Sequence, residues 1–349
     1  MGYDSALPPS VDSKRLFCPK PFDELEIGWR GISRLCCFIE RDVGSVVESL
    51  DDVLNSKAAI EIRNTIVAGT FDFCDKKSCP FWVSSSLKTQ DQYENTRYDD
   101  FINGSSLLVD TVDLNISFDT SCNLRCVSCR AAVNKSTWEE KKHGARLMKV
   151  VEKSLYRIRK LHLCGSGDPF ASSLLRGFLM SVDSKSYPHL EISLLTNGIL
   201  LDQKMWEQIS PAHSAISSIQ ISVDAATGAT YEKVRRQGSF ERLQKNLNFV
   251  SELRRRNEIG CFIISFVVSK MNYQEMKAFV EMGETLGCDQ ILFSHIRDWG
   301  ALTRSRYVEL AVHRPNNPLH EELVEILGDS VFSRERVFLG NLSALRKAM

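Results

Sequence analysis

The sequence predicts an α/β fold, a partial (β/α)6 barrel preceded by a small cysteine-rich module of β-hairpin and helix. Three observations predict it. From about residue 110, short apolar runs alternate with longer helical stretches, the rhythm of parallel βα units. Six such runs occur, near 112–118, 159–164, 189–196, 217–224, 261–268 and 290–296. Residues 1–105 differ in kind, because they hold Cys18, Cys36, Cys37, Cys74 and Cys79, five of the eleven cysteines.

The 349 residues suffice for one large domain or two smaller ones. The natural divisions are a module at 1–105, the barrel at 106–300 and a helical extension at 301–349. Lys+Arg and Asp+Glu are equal at 44 each, so no net charge draws the chain to nucleic acid or to a membrane surface. No apolar stretch approaches the ~20 residues that cross a bilayer. The start, Met1 to Pro9, lacks a basic segment followed by an apolar one, and Ala6 stands where a myristoylation signal wants Ser or Thr. Eleven cysteines without an export signal point to metal binding in a reducing cytoplasm.

In chain order, Leu25–Trp29 and Ile32–Cys36 read as a hairpin turning at Arg30–Gly31. A helix-like run from Val46 to Ala68 then leads to Cys74 and Cys79. Cys18, Cys36, Cys74 and Cys79 are enough for one closed centre, with Cys37 an alternative to Cys36, and two separated pairs also suit tetrahedral zinc. The first barrel strand puts Val112, Leu114, Ile116 and Phe118 on one face and Asp113, Asn115 and Ser117 on the other. In a barrel of parallel strands the apolar row packs outward on helices.

Just past that strand, Cys122, Cys126 and Cys129 form a Cys-x3-Cys-x2-Cys triplet. Three thiolates from one loop hold three irons of a 4Fe–4S cube and leave the fourth open. Zinc would need a fourth ligand from elsewhere. The second strand leaves through Cys164-Gly-Ser166-Gly167-Asp168-Pro169, and the third closes on Thr196-Asn197-Gly198. The fourth turns Gln220, Ser222 and Asp224 inward and runs on to Arg235 and Arg236. The fifth exits through Phe266 to Asn272, including Val268, and the sixth through Ser294-His295-Ile-Arg297-Asp298-Trp299-Gly300. Two helices, around Arg304–His313 and His320–Leu327, end the chain with a short apolar segment at Val337–Gly340.

The triplet followed in order by these strand-end motifs resembles the radical S-adenosylmethionine (SAM) superfamily. The resemblance implies that the open iron binds the amino and carboxylate groups of SAM. The reduced cluster then splits SAM to give a 5'-deoxyadenosyl radical, with electrons from an external donor such as flavodoxin or ferredoxin. Ser166-Gly167-Asp168-Pro169 resembles the family's Gly-Gly-Glu-Pro motif for the SAM amino group, with Asp168 one methylene shorter. Asn197 lies in the equivalent turn. By the same resemblance Ser222, beside Asp224, touches the ribose, and Arg235 or Arg236 the SAM carboxylate. Ser128 stands where many members carry an aromatic residue before the third cysteine, so Phe266 or Val268 is expected to border the adenine. The Cys18…Gly31-x4-Cys36 hairpin resembles the opening of SPASM or twitch modules, which hold auxiliary 4Fe–4S clusters but normally follow the barrel. Four ligands fit a single-cluster, twitch-like site.

The expected function is therefore a radical SAM oxidoreductase or epimerase. Its substrate is expected to be a hydroxylated or amino-sugar-like small molecule. A maturase acting on a peptide is the alternative, and the motifs argue against a non-catalytic iron–sulfur or zinc scaffold. Epimerisation needs a hydrogen donor on the opposite face, for which Cys164 at the site end is the candidate. His295, Arg297 and Asp298 are candidates to bind or deprotonate a hydroxyl group.

Overall fold

A computed structural model describes residues 16–103, 112–163 and 166–346. One ten-stranded sheet organises it. Its strands are β1 (Glu24–Ile27), β2 (Ile32–Arg34), β3 (Gly44–Ser45), β4 (Val112–Ile116), β5 (Ile158–Leu163), β6 (Glu191–Thr196), β7 (Ile216–Ser222), β8 (Cys261–Val268), β9 (Gln290–His295) and β10 (Val337–Phe338). Strands β4 to β9 lie side by side in chain order and all pair in parallel, the six βα units expected. The fold is α/β with the barrel strands where the apolar runs place them.

Alternation explains why these segments become strands. In β8, Phe262, Ile264, Phe266 and Val268 are buried and the residues between them half-buried. The outward row packs on helices: the Phe266 ring lies 4.9 Å from that of Phe279 in helix Met276–Thr285 and 5.5 Å from Phe293 in β9. Crossover helices start at designed caps. Thr137 and Glu140 form a reciprocal box ahead of Trp138–Lys153, and Ser172, Asp202, Thr227 and Ser239 each cap the helix that follows. The inward row is polar, with register partners Glu26, Asn115, His162, Ser193 and Ser218 forming one layer across five strands. A lining of this kind surrounds a ligand space, whereas a filled barrel carries branched apolar residues there.

The cysteine-rich module is continuous with the barrel sheet. Strand β1 pairs in parallel with β4, and β2 and β3 follow antiparallel. The hairpin turns where expected, with Arg30 at φ 55° and Gly31 at φ 78°, the left-handed pair that matches strand twist. A Cβ on Gly31 would also meet the Val46 carbonyl oxygen at 2.9 Å. The run 46–68 is two helices, Asp51–Leu54 and Lys57–Val67, because the Ser56 hydroxyl accepts from the Ala59 N–H and starts a new helix. At the other edge of the sheet, residues 340–345 lie against 80–83 of the module. The Arg297 guanidinium sits 4.8 Å from the Phe38 ring. The open side of the partial barrel is thus bridged by contacts of the module with residues 297 and 340–345. The first C-terminal helix, Arg304–Leu310, stops three residues earlier than expected. No helix among the described residues is long and apolar enough to cross a membrane.

Candidate active site

The loop after β4 is held by Asp119, whose Oδ1 accepts from the Ser121 N–H and the Ser136 hydroxyl, both at 2.8 Å. Its Oδ2 accepts from the Ser172 hydroxyl at 2.5 Å. Although burial raises its pKa, those three serines hold it below the usual carboxylate range. Gly167 presses against this loop: an added Cβ would lie 2.6 Å from both the Asp119 and Ser121 carbonyl oxygens, so only glycine fits.

Each thiol of the triplet has a donor side chain aimed at it. Asn197 Nδ2 is 3.9 Å from Cys122 Sγ, Arg235 Nη1 3.6 Å from Cys126 Sγ, and Arg130 Nε and Nη2 3.4 and 3.3 Å from Cys129 Sγ. Burial pushes the Cys122 and Cys126 thiols up, so metal must displace their protons, and the two guanidiniums favour the thiolate that results. Cys122 and Cys126 are buried while Cys129 is exposed, a set open on one side. Three thiolates, each with a donor, suit a three-point hold on a cluster.

Several residues assigned by motif have other tasks. Asp168 was expected to meet the SAM amino group, but its acceptor positions are filled. Oδ1 takes the N–H groups of Phe170 and Ala171 at 3.0 and 3.2 Å; Oδ2 takes the Thr196 hydroxyl at 2.7 Å and the Asn197 N–H at 2.8 Å. The shorter carboxylate braces the exit of β5 to the exit of β6. Asn197, so positioned, donates to Asn123 Oδ1 at 2.9 Å as well as facing Cys122. Arg235, expected at the SAM carboxylate, is engaged within the protein. It pairs with Asp224 at 2.7 Å and faces Cys126, while its Nε has no hydrogen-bond partner and Arg236 is exposed. Asp224, at φ 62°, also accepts from the Val267 N–H at 2.7 Å. The Ser222 hydroxyl faces that of Ser265 at 3.4 Å, Pro169 is buried, and the Ser166 carbonyl accepts from Arg130.

Val268 and Phe266 lie on the helix-packed face of β8 and do not reach the interior. Val267, one residue earlier, faces the other way and packs in a small cluster with Val127 of the cysteine loop. The triad after β9 is also dispersed. His295 shares the outward row of Ile291 and Phe293 and stacks on His313 at 3.9 Å; Arg297 bridges to Phe38; exposed Asp298 caps the Gly300 N–H at 2.9 Å. Cys164 lies outside the described residues.

Cys18, Cys36, Cys74 and Cys79, distant in sequence, line one small cavity of about 20 Å³ with Phe38 and Trp82 among its walls. Cys37 is exposed and does not line it. Burial pushes the Cys18 thiol up to about 11 and Cys74 to about 12, and Cys36 is raised by its hydrogen bond with Cys37 and then by burial. Among the described residues no three Cys, His, Asp or Glu side chains converge on a single point. Four thiols around one cavity supply the ligands for a single four-thiolate centre, iron–sulfur or zinc. Sequence reasoning missed Asp119, Arg130 and Asn123. The adjacency of Arg130 to Cys129 was the one available signal.

Residues 116–283 match the family model of the Radical SAM superfamily. The chain carries a radical SAM domain. Its cofactors are a 4Fe–4S cluster and SAM, and the Cys122–Cys126–Cys129 loop fits the cluster by donor chemistry. Similar proteins include the GTP 3',8-cyclase of Petrotoga mobilis, 26% identical over 48% of this chain and 51% of the relative. The AdoMet-dependent heme synthase of Methanosarcina barkeri is 28% identical over 48% and 45%, and the mycofactocin maturase MftC of Mycolicibacterium smegmatis 25% over 48% and 40%. The chain thus spans about half the length of the curated relatives it matches. Among solved structures, SuiB of Streptococcus suis bound to S-adenosylmethionine aligns with a TM-score of 0.48 at 14% identity, covering 74% of this chain and 57% of that one.

Proposed function

We propose that this radical SAM enzyme oxidises a small polar molecule, with Cys18, Cys36, Cys74 and Cys79 holding an auxiliary 4Fe–4S cluster. The observation that carries the reading is the gathering of those four thiols around one cavity in a module whose first strand is hydrogen-bonded to the first barrel strand. When bound, the barrel cluster and SAM supply a radical that takes a hydrogen atom from a substrate C–H bond, and the second cluster supplies a site for the electron left behind.

The protein's own part is placement. Asp168 locks the turn that carries Asn197, Arg235 holds positive charge against Cys126 while Asp224 orients it, and Gly167 lets the β5 exit lie against the cysteine loop. The polar layer of Glu26, Asn115, His162, Ser193 and Ser218 supplies hydrogen-bonding groups to a hydrophilic ligand inside the barrel. Epimerisation of the same substrate class is the neighbouring outcome, with Cys164 the candidate hydrogen donor. Maturation of a peptide is a second reading, favoured by the similarity to the mycofactocin maturase. An external donor such as flavodoxin or ferredoxin would reduce the barrel cluster.

Counting products tests the proposal. Oxidation predicts one 5'-deoxyadenosine formed per product. In Cys18→Ala/Cys74→Ala, 5'-deoxyadenosine formation should persist while product is lost. A redox-neutral product formed by that variant as by the parent would replace oxidation with epimerisation.

A further inference from the structure

A pocket of about 230 Å³ opens where the hairpin meets the exits of β4 and β5. Glu26, Trp29, Ile32 and Arg34 line it from the hairpin, and Ser117 and Ser166 from the barrel. The hairpin's pleat aims these residues there. Glu26 and Arg34 are register partners on one face, while Leu25, Ile27 and Ser33 are buried on the other. Among the described residues, neither the Glu26 carboxylate nor the Arg34 guanidinium makes a hydrogen bond or an ion pair, even with the other. Ser117 is 5% exposed, and its Oγ is buried with no hydrogen-bond partner. Trp29 is 40% exposed, an aromatic face at the rim.

A buried hydroxyl without a partner is costly unless a ligand satisfies it. Two opposite, uncommitted charges on one wall discriminate by charge, because a ligand of single sign leaves one of them unpaired as it is desolvated. A zwitterion pairs both. We propose that this pocket binds the free α-ammonium and α-carboxylate of an amino-acid-like small molecule: Glu26 takes the ammonium, Arg34 the carboxylate in its planar fork, Ser117 Oγ a hydrogen bond, and Trp29 with Ile32 the side chain. Binding follows from the pocket alone, whereas the role of that molecule as substrate rests on the proposed function.

The test is saturation-transfer NMR on anaerobically reconstituted protein saturated with SAM. The probes are the free proteinogenic L-amino acids and, separately, their N-acetyl methylamides. At least one free amino acid should receive saturation and its blocked counterpart none. Glu26→Gln and Arg34→Gln should each weaken that binding about tenfold or more, with iron content and SAM affinity as in the parent. Equal binding of blocked forms would point to a peptide chain and overturn the proposal. So would no binding at millimolar concentration, or variants that weaken SAM instead. If amino acids bind but the parent forms no 5'-deoxyadenosine, the oxidation reading fails and the pocket stands.

Discussion

Asp168→Asn separates a brace from a ligand. The carboxylate accepts four hydrogen bonds, two at each oxygen, and is fully buried among them. Asparagine keeps one oxygen and turns an NH2 towards the other two donors. Each lost hydrogen bond to a charged acceptor costs about 1.5–3 kcal/mol, so the pair loses about 3–6 kcal/mol. If the amide faces Thr196 and Asn197, the Thr196 hydroxyl can turn and accept from it, which places the loss near the lower figure. The Asn197 N–H has no such freedom. For a chain of this size about 3 kcal/mol lowers the melting temperature by several degrees. The assay is anaerobic thermal unfolding of the cluster-free protein, followed by SAM titration of the reconstituted variant. An unchanged melting temperature with weakened SAM binding would refute the bracing role and return Asp168 to the SAM amino group.

Other outcomes follow from the same geometry. Gly167→Ala puts a methyl 2.6 Å from two backbone oxygens, so the cysteine loop must shift; reconstituted protein should carry less iron, read by colorimetric assay. Val268→Ala should cost about 2 kcal/mol of stability and leave SAM affinity alone; weakened SAM binding with unchanged stability would restore Val268 to the site. Burial, then Lys160 and Lys20, depress His162 to about 4 from 6.5 against a smaller opposing pull from Glu191. A histidine held neutral in the fold contributes stability that is full above the unfolded value and declines as pH falls from 6.5 towards 4. The loss reaches up to about 3 kcal/mol, and denaturant unfolding of cluster-free His162→Gln at pH 7 and pH 4.5 should show a smaller decline than the parent.

Much of the barrel is legible in the sequence because its strands alternate apolar and polar rows. Asp113 and Asn115 in β4 and Ser117 just past it declare the inward face, and the strand ends lie within two residues of expectation. The reading slips where alternation fails. In β8 both rows are apolar, Phe262-Ile-Ile-Ser-Phe-Val-Val268, so the face of Val268 could not be told from that of Val267. His295 misled in another way. Its polarity suggests a site residue, yet it continues the outward row of Ile291 and Phe293, and its partner His313 comes from a later segment. The Asp168 brace and the Asp224–Arg235 pair were hidden because each joins segments through burial, which a motif does not record. The four-thiol cavity was half legible: spacing named Cys18, Cys36, Cys74 and Cys79, and three-dimensional placement separates Cys36 from exposed Cys37.

The central claim is two clusters held by separate thiol sets. Iron and acid-labile sulfide in anaerobically reconstituted protein test it most directly, beside a variant with Cys122, Cys126 and Cys129 all changed to Ala. About eight irons are expected in the parent and about four in the variant, at four per cube. About four irons falling to none would contradict it, leaving the N-terminal cavity without an iron–sulfur cluster.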